Sequence, residues 1–207
     1  GGEVGERPSG VKWNGHPIRP DLRRPIVRTF RAVVALLLVA VSLLAVEAVA
    51  DIALIAERSR IQFTGSKPGK SHDGGFKQFT VTGNVDWAAL ADSTVRIEID
   101  ARSVWSDDGG LTAHLKAADF LDVARHPTIV FETRGIEIQD ARTAVVTGAL
   151  SMLGQTVEVV APCRLELTDK GLTIRSAFRI DRTLWGMTYG KHIEPNVEVA
   201  VVLVVGR

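Results

Sequence analysis

Cysteine is almost absent from these 207 residues. Cys163 stands alone, so no internal disulfide can staple the fold. A lone Cys of this kind reads as a small buried hydrophobe. Pairing with a second chain stays open, and with it a homodimer. No His or acid stands beside Cys163 in sequence to activate its thiol. A basic surplus is missing too. Lys and Arg number 25 against 24 Asp and Glu, which argues against a nucleic-acid partner, because phosphate binding needs an excess of cations on one face. No apolar run reaches the roughly 20 residues of a membrane-spanning helix. There is no G-x-S-x-G turn for a serine nucleophile. "SKPGKSHDGGF" has the glycines of a phosphate loop, but it reads as a link between two strands rather than the start of a helix. His16, His72, His114, His126 and His192 are scattered, with no H-x-H or H-x-x-x-H pair, so the spacing indicates no metal site.

What is present divides the chain in three. Residues 1–31 are rich in Gly, Pro and charge, show no periodicity, and read as a disordered basic region. Residues 32–50 begin with "AVVALLLVAVSLLAV" and end on Ala48-Val49-Ala50. Arginines, a short apolar run and an A-x-A site together describe a secretory signal peptide, which implies a periplasmic or secreted destination. Membrane contact is then expected only if the segment stays uncleaved. Arg23-Arg24 also loosely matches a twin-Arg signal. Seven basic and four acidic residues precede residue 51, so residues 51–207 carry 18 and 20, a net charge of −2.

Residues 51–207 have a period of two. In "STVRIEID", Val95, Ile97 and Ile99 alternate with Arg96, Glu98 and Asp100. "RIQFTGS", "FKQFTVTGNVDW", "TIVFETR", "TAVVTGAL", "TVEVVAPCRLEL", "LTIRSAFRID" and "VEVAVVLVV" continue the pattern. That predicts about eight strands. Lys67-Pro68-Gly69, Asp73-Gly74-Gly75, Gln139-Asp140 and Asp169-Lys170-Gly171 read as turns between them. The short links imply antiparallel neighbours, and the whole suits a closed barrel or a sandwich. An eight-stranded barrel has room inside for side chains or one small ligand.

Only residues 103–127 break the rhythm. "LTAHLKAADFL" predicts a short helix over about 112–121, covering one end of the sheet. His114, Asp119, Asp122 and His126 look at first like a catalytic cluster. In a helix, however, His114 and Asp119 would point about 140° apart, at 100° per residue, and no nucleophile accompanies them. The plainer reading packs Leu115, Phe120 and Leu121 inward and leaves Lys116, Asp119, Asp122 and Arg125 as solvated or capping charges. No catalytic residue and no cofactor is called for.

Four segments, in order, carry a family resemblance. They are "GGFKQFTVTGNVDW", "HLKAADFLDVARHPTIVFET", "VTGALSMLGQTVEV" and "FRIDRTLWGMTYG". Together they resemble the YceI-like family over nearly all of residues 57–207. The resemblance implies an all-β, eight-stranded, antiparallel lipocalin-like barrel with one short helix in its long loop. It also implies an exported, non-enzymatic protein that carries or stores a long apolar ligand of isoprenoid type, a polyprenyl lipid or an isoprenoid quinone. Fatty-acid-like ligands are associated with the family as well. Leu111-Thr112 stand where the family often has Arg-Asp, and Arg58-Ser59-Arg60 where it often has an Asp-x-x-His-Ser start. Head-group contacts at those positions are not carried over. Phe63, Phe76, Phe79, Phe120, Phe131, Phe178 and Trp185 are candidates for the lumen lining or the outer core, and periodicity does not say which. His114, Asp119 and Arg182 are candidates for the mouth, each with a structural alternative; Arg182 could pair with an acid at a strand end. The rival reading is a stress-response or structural envelope module with a filled barrel, no lipid, and a surface patch for a protein.

Overall fold

The computed structural model describes residues 52–207. The basic region and the signal segment read over residues 1–50 lie outside the described residues, as does Asp51. Ten antiparallel strands follow: β1 (Arg60–Lys67), β2 (Lys70–Phe76), β3 (Phe79–Asn84), β4 (Thr94–Asp100), β5 (Val104–Ser106), β6 (Thr128–Ile138), β7 (Thr143–Met152), β8 (Gln155–Thr168), β9 (Gly171–Asp181) and β10 (Asn196–Gly206). Among the described residues one α-helix, α1 (Gly109–Lys116), lies between β5 and β6.

The hydrogen-bonded order is β3-β4-β6-β7-β8-β9-β10-β1-β2-β5. Its two end strands are not free ends of the chain path. β3 continues directly from β2 across Lys77-Gln78, and β5 continues from β4 across a 3-10 turn at Ala101–Ser103. The two breaks lie side by side. Lys77 N donates to Ser103 O at 3.3 Å, Asp100 N donates to Gln78 O at 3.1 Å, and Gln78 N donates to Ser103 Oγ at 3.1 Å. Counting each kinked pair as one strand turns the ten pieces into eight, and the pairing returns to its start. The all-β barrel is therefore as expected, with two of its eight strands bent.

The kinks explain one departure from the sequence reading. Asp73-Gly74-Gly75 is not a turn but the middle of β2, in register with β1 from Ile61↔Phe76 to Lys67↔Lys70. Its glycines are there for close approach. A Cβ on Gly74 would lie 2.5 Å from Phe63 Cζ, and one on Gly75 would lie 2.6 Å from Ile61 O. Asp169-Lys170-Gly171 is a turn, as read. Gly171 has φ +147° and rests against the Val205 carbonyl, so no side chain fits.

The second departure is α1, which spans Gly109–Lys116 rather than 112–121. Asp108 caps it by accepting from Leu111 N at 2.8 Å. Beyond Ala117 the chain curls: Leu121 N donates to Leu115 O at 3.1 Å, and Asp122 takes φ +43°. The good helix formers after Lys116 yield to burial of Phe120 and Leu121.

The main core runs through the barrel, from Ile61, Ile97 and Ile129 to Trp185 and Leu203. A smaller cluster of Ala144, Cys163, Leu165 and Leu172 packs with Trp87 and Leu90 toward the end opposite α1.

Candidate functional site

The interior is not filled. A cavity of about 530 Å³ runs along the barrel axis, a typical size for a small-molecule site. The rival reading expected a filled barrel, and the cavity is at odds with that part of it. Alternation along the strands builds the wall. Val95, Ile97 and Ile99 of β4 face in, as do Val197, Val199, Val201 and Leu203 of β10. Phe63, Val199 and Phe178 stand in register on β1, β10 and β9 and line one side.

Two phenylalanines lie against glycine backbone. The Phe63 ring fills the space a Cβ on Gly74 would take, and Phe131 does the same at Gly148, where a Cβ would fall 2.3 Å from its Cζ. Both rings are thereby seated on the wall. Cys163 also lines the cavity. Its side chain is buried, burial pushes the thiol above its ordinary pKa, and Sγ sits 3.4 Å from Ala161 O. A cross-chain disulfide is therefore closed to the folded barrel.

α1 and the loop over residues 186–195 form the mouth. Three rings hold them together. His114 meets Phe120 and Tyr189 edge-on, each with centroids 4.9 Å apart, and Phe120 meets Tyr189 at 5.5 Å. His114 Nε2 also lies 3.2 Å from Asp119 Oδ2. The helical-angle objection to this pair fails because α1 ends before Asp119 and the curl brings the carboxylate back. Asp122, one of the four charges expected to be solvated or capping, is buried and pairs with Arg125.

Arg182 is buried at the end of β9. Its partner is not an acid. Nε donates to Glu194 O at 3.2 Å, Nη2 to Ile193 O at 3.1 Å, and Nη1 to Met187 O. One guanidinium thus organises the whole 187–194 segment.

Of the residues read from sequence, Phe63, Phe76, His114, Phe120, Phe131, Phe178 and Arg182 line the cavity. Asp119 stands behind His114. Phe79 and Trp185 do not line it and pack in the main core instead. Phe79 pairs with Ile99 at the kink, and Trp185 is buried with its indole N–H donating to Leu150 O at 3.0 Å. Gly186 after it turns with φ +84°, in open space rather than against backbone.

A family model for the YceI-like domain matches residues 53–205. The chain belongs to the YceI-like family. It is similar to a UPF0312 protein of Azotobacter vinelandii, 36% identical over 91 residues, or 44% of this chain and 47% of that one. A UPF0312 protein of Pseudomonas putida is 35% identical over 88 residues, or 42% and 45%. The match thus spans about half the length of these curated relatives. Among solved structures, Burkholderia cenocepacia BcnA superposes with a TM-score of 0.68 at 20% identity, covering 73% of this chain and 98% of that one. A polyisoprenoid-binding domain from Saccharophagus degradans gives 0.60 at 15% identity, covering 75% and 98%. At these identities the likeness is one of fold.

The YceI-like barrel of this chain also has lining residues that the sequence reading missed. Lys67, Lys70, His72, Tyr189 and His192 are among them. Lys67 was within reach, since it continues the alternation Ile61, Phe63, Gly65. Lys70 and His72 were hidden by reading β2 as a loop, and Tyr189 and His192 lie in irregular chain with no period to place them. Among the described residues no three His, Cys, Asp or Glu side chains converge on a metal position.

Proposed function

We propose that this domain holds one long apolar chain of isoprenoid type, a polyprenyl lipid or an isoprenoid quinone, in its lumen and carries or stores it outside the cytoplasm. The observation that supports this most is the cavity of about 530 Å³, lined mainly by aliphatic and aromatic side chains with Lys, Arg and His toward one end. Water gains little in such a space, whereas each CH₂ transferred into it contributes about 0.8 kcal/mol. Tight binding then needs few polar contacts. The description of the Saccharophagus degradans neighbour as polyisoprenoid-binding is consistent with the reading. The basic region, apolar run and A-x-A site before residue 51 favour export.

The mechanism is capture by burial, with no chemical step. His114, held by Asp119, and Phe120 serve with Tyr189 as a clasp between α1 and the mouth loop. The test is to recover the protein from its producing cells, extract it with organic solvent and analyse the extract by mass spectrometry. A prenyl chain near one per protein is expected. Protein recovered lipid-free, and unable to take up a prenol afterwards, would refute the reading.

A further inference from the structure

The lumen changes character at one end. The inward row of β1 runs Ile61, Phe63, Gly65, Lys67, and that of β2 runs Phe76, Gly74, His72, Lys70, paired in register. The inward row of β9 passes from Phe178 and Ile180 to Arg182. The three cations share one level of the barrel. Glu194 N donates to Ser66 O at 2.8 Å, and Arg182 N donates to Pro195 O at 2.9 Å. His72, His114 and His192 line the same cavity, and no Asp or Glu does.

The nearby carboxylates stand behind this rim. Asp107 Oδ1 lies 2.8 Å from His72 Nδ1, and Asp119 backs His114. Asp108 is occupied by the N-terminus of α1. Among the described residues neither Lys67, Lys70 nor Arg182 has a carboxylate at ion-pair distance. The carbonyls around Arg182 solvate its charge without cancelling it. Lys67 and Lys70 face each other directly across the hairpin, where like charges repel. A neutral head group would leave this arrangement uncompensated, and an anion would relieve it.

We propose that the ligand is an anionic amphiphile, with its carboxylate or phosphate head at Lys67 and Lys70 in the field of Arg182 and its tail in the lumen. This rests on the lipid-binding reading above. The head would meet charge-assisted donors, the strongest hydrogen bonds available to it, and the Lys contacts would be screened by salt.

The test compares three ligands on the delipidated full chain by titration calorimetry: geranylgeranyl phosphate, its uncharged alcohol geranylgeraniol, and palmitate. Both anions are expected to bind, and the phosphate should exceed its alcohol by about tenfold or more at low salt, a gap of about 1.4 kcal/mol. Raising the salt and the double variant Lys67→Gln, Lys70→Gln should each narrow that ratio. Lys170→Gln, at the β8–β9 turn, should not. Phosphate bound without palmitate would assign a phosphate head, and the reverse a carboxylate. Equal affinity for phosphate and alcohol would overturn the anionic head while leaving lipid binding intact. Binding of none of the three would overturn both.

Discussion

Phe131 and Gly148 show how single residues hold the lumen open. The ring sits where a Cβ on residue 148 would be, so Gly148→Ala must push Phe131 off the wall. The expected cost is about 1–3 kcal/mol of stability, as for other overpacked sites, together with a lower lipid content. Denaturant midpoints and bound-lipid mass spectrometry on the variant check both, and no change in either would contradict the seating. Arg182→Met removes the donors to the carbonyls of Met187, Ile193 and Glu194. The Met187 carbonyl, left unpaired at a buried residue, costs about 1–3 kcal/mol, and the less buried Ile193 and Glu194 carbonyls cost less, so the mouth loop should loosen before the barrel does. Hydrogen exchange should then speed up at Ile193 and Glu194, whose amides donate to Gly190 O and Ser66 O, while β7 and β8 stay protected. At this scale the sequence is half legible. Alternation sorts Phe63 and Phe178 onto one face of their strands, but it does not tell a lumen from an outer core. Only the fold separates Phe131 from Phe79 and Trp185, because the kink and the 3-10 turn that place the latter two have no period.

Two short 3-10 turns, one at the bend between β4 and β5 and one after β9, are capped by aspartates. Asp100 precedes the 3-10 turn between β4 and β5, and the Arg102 guanidinium and backbone N–H hold its carboxyl below the ordinary range. Asp181 caps the turn that carries Arg182, and the Thr183 hydroxyl and backbone N–H do the same there. A depressed carboxylate stabilises the fold fully above its unfolded value, about pH 4, and loses that contribution as pH falls through its lower folded value. Stability should therefore be insensitive to these groups near neutrality and fall in the acid limb. The variants Asp100→Asn and Asp181→Asn should flatten that limb, as read by thermal unfolding between about pH 2 and 6. An unchanged acid limb in both would remove the capping account. Strands at this scale were read well wherever polar and apolar residues alternate. β2 was lost because its glycines look like a turn when their neighbours Phe63 and Trp105 are not in view. α1 was placed three residues too late, since helix propensity in "AADFL" gives no warning that Phe120 and Leu121 will be drawn into the mouth.

Over the described residues the domain is a barrel closed by chain continuity at two bends, packed with apolar side chains toward one end and carrying Lys67, Lys70 and Arg182 at the other. Its all-β antiparallel class was readable from period and short links, which left a closed barrel and a sandwich both open, and the family resemblance pointed to the barrel. The cavity was not readable, since an open lumen depends on where rings come to rest and not on how many there are. The central claim is that this lumen is built for one long apolar chain, and native mass spectrometry of the protein taken from its producing cells tests it most directly. The account predicts a single added mass per chain that gentle activation releases as one amphiphile with a long apolar tail. An unliganded mass, unchanged after incubation with prenyl and acyl chains, would contradict it.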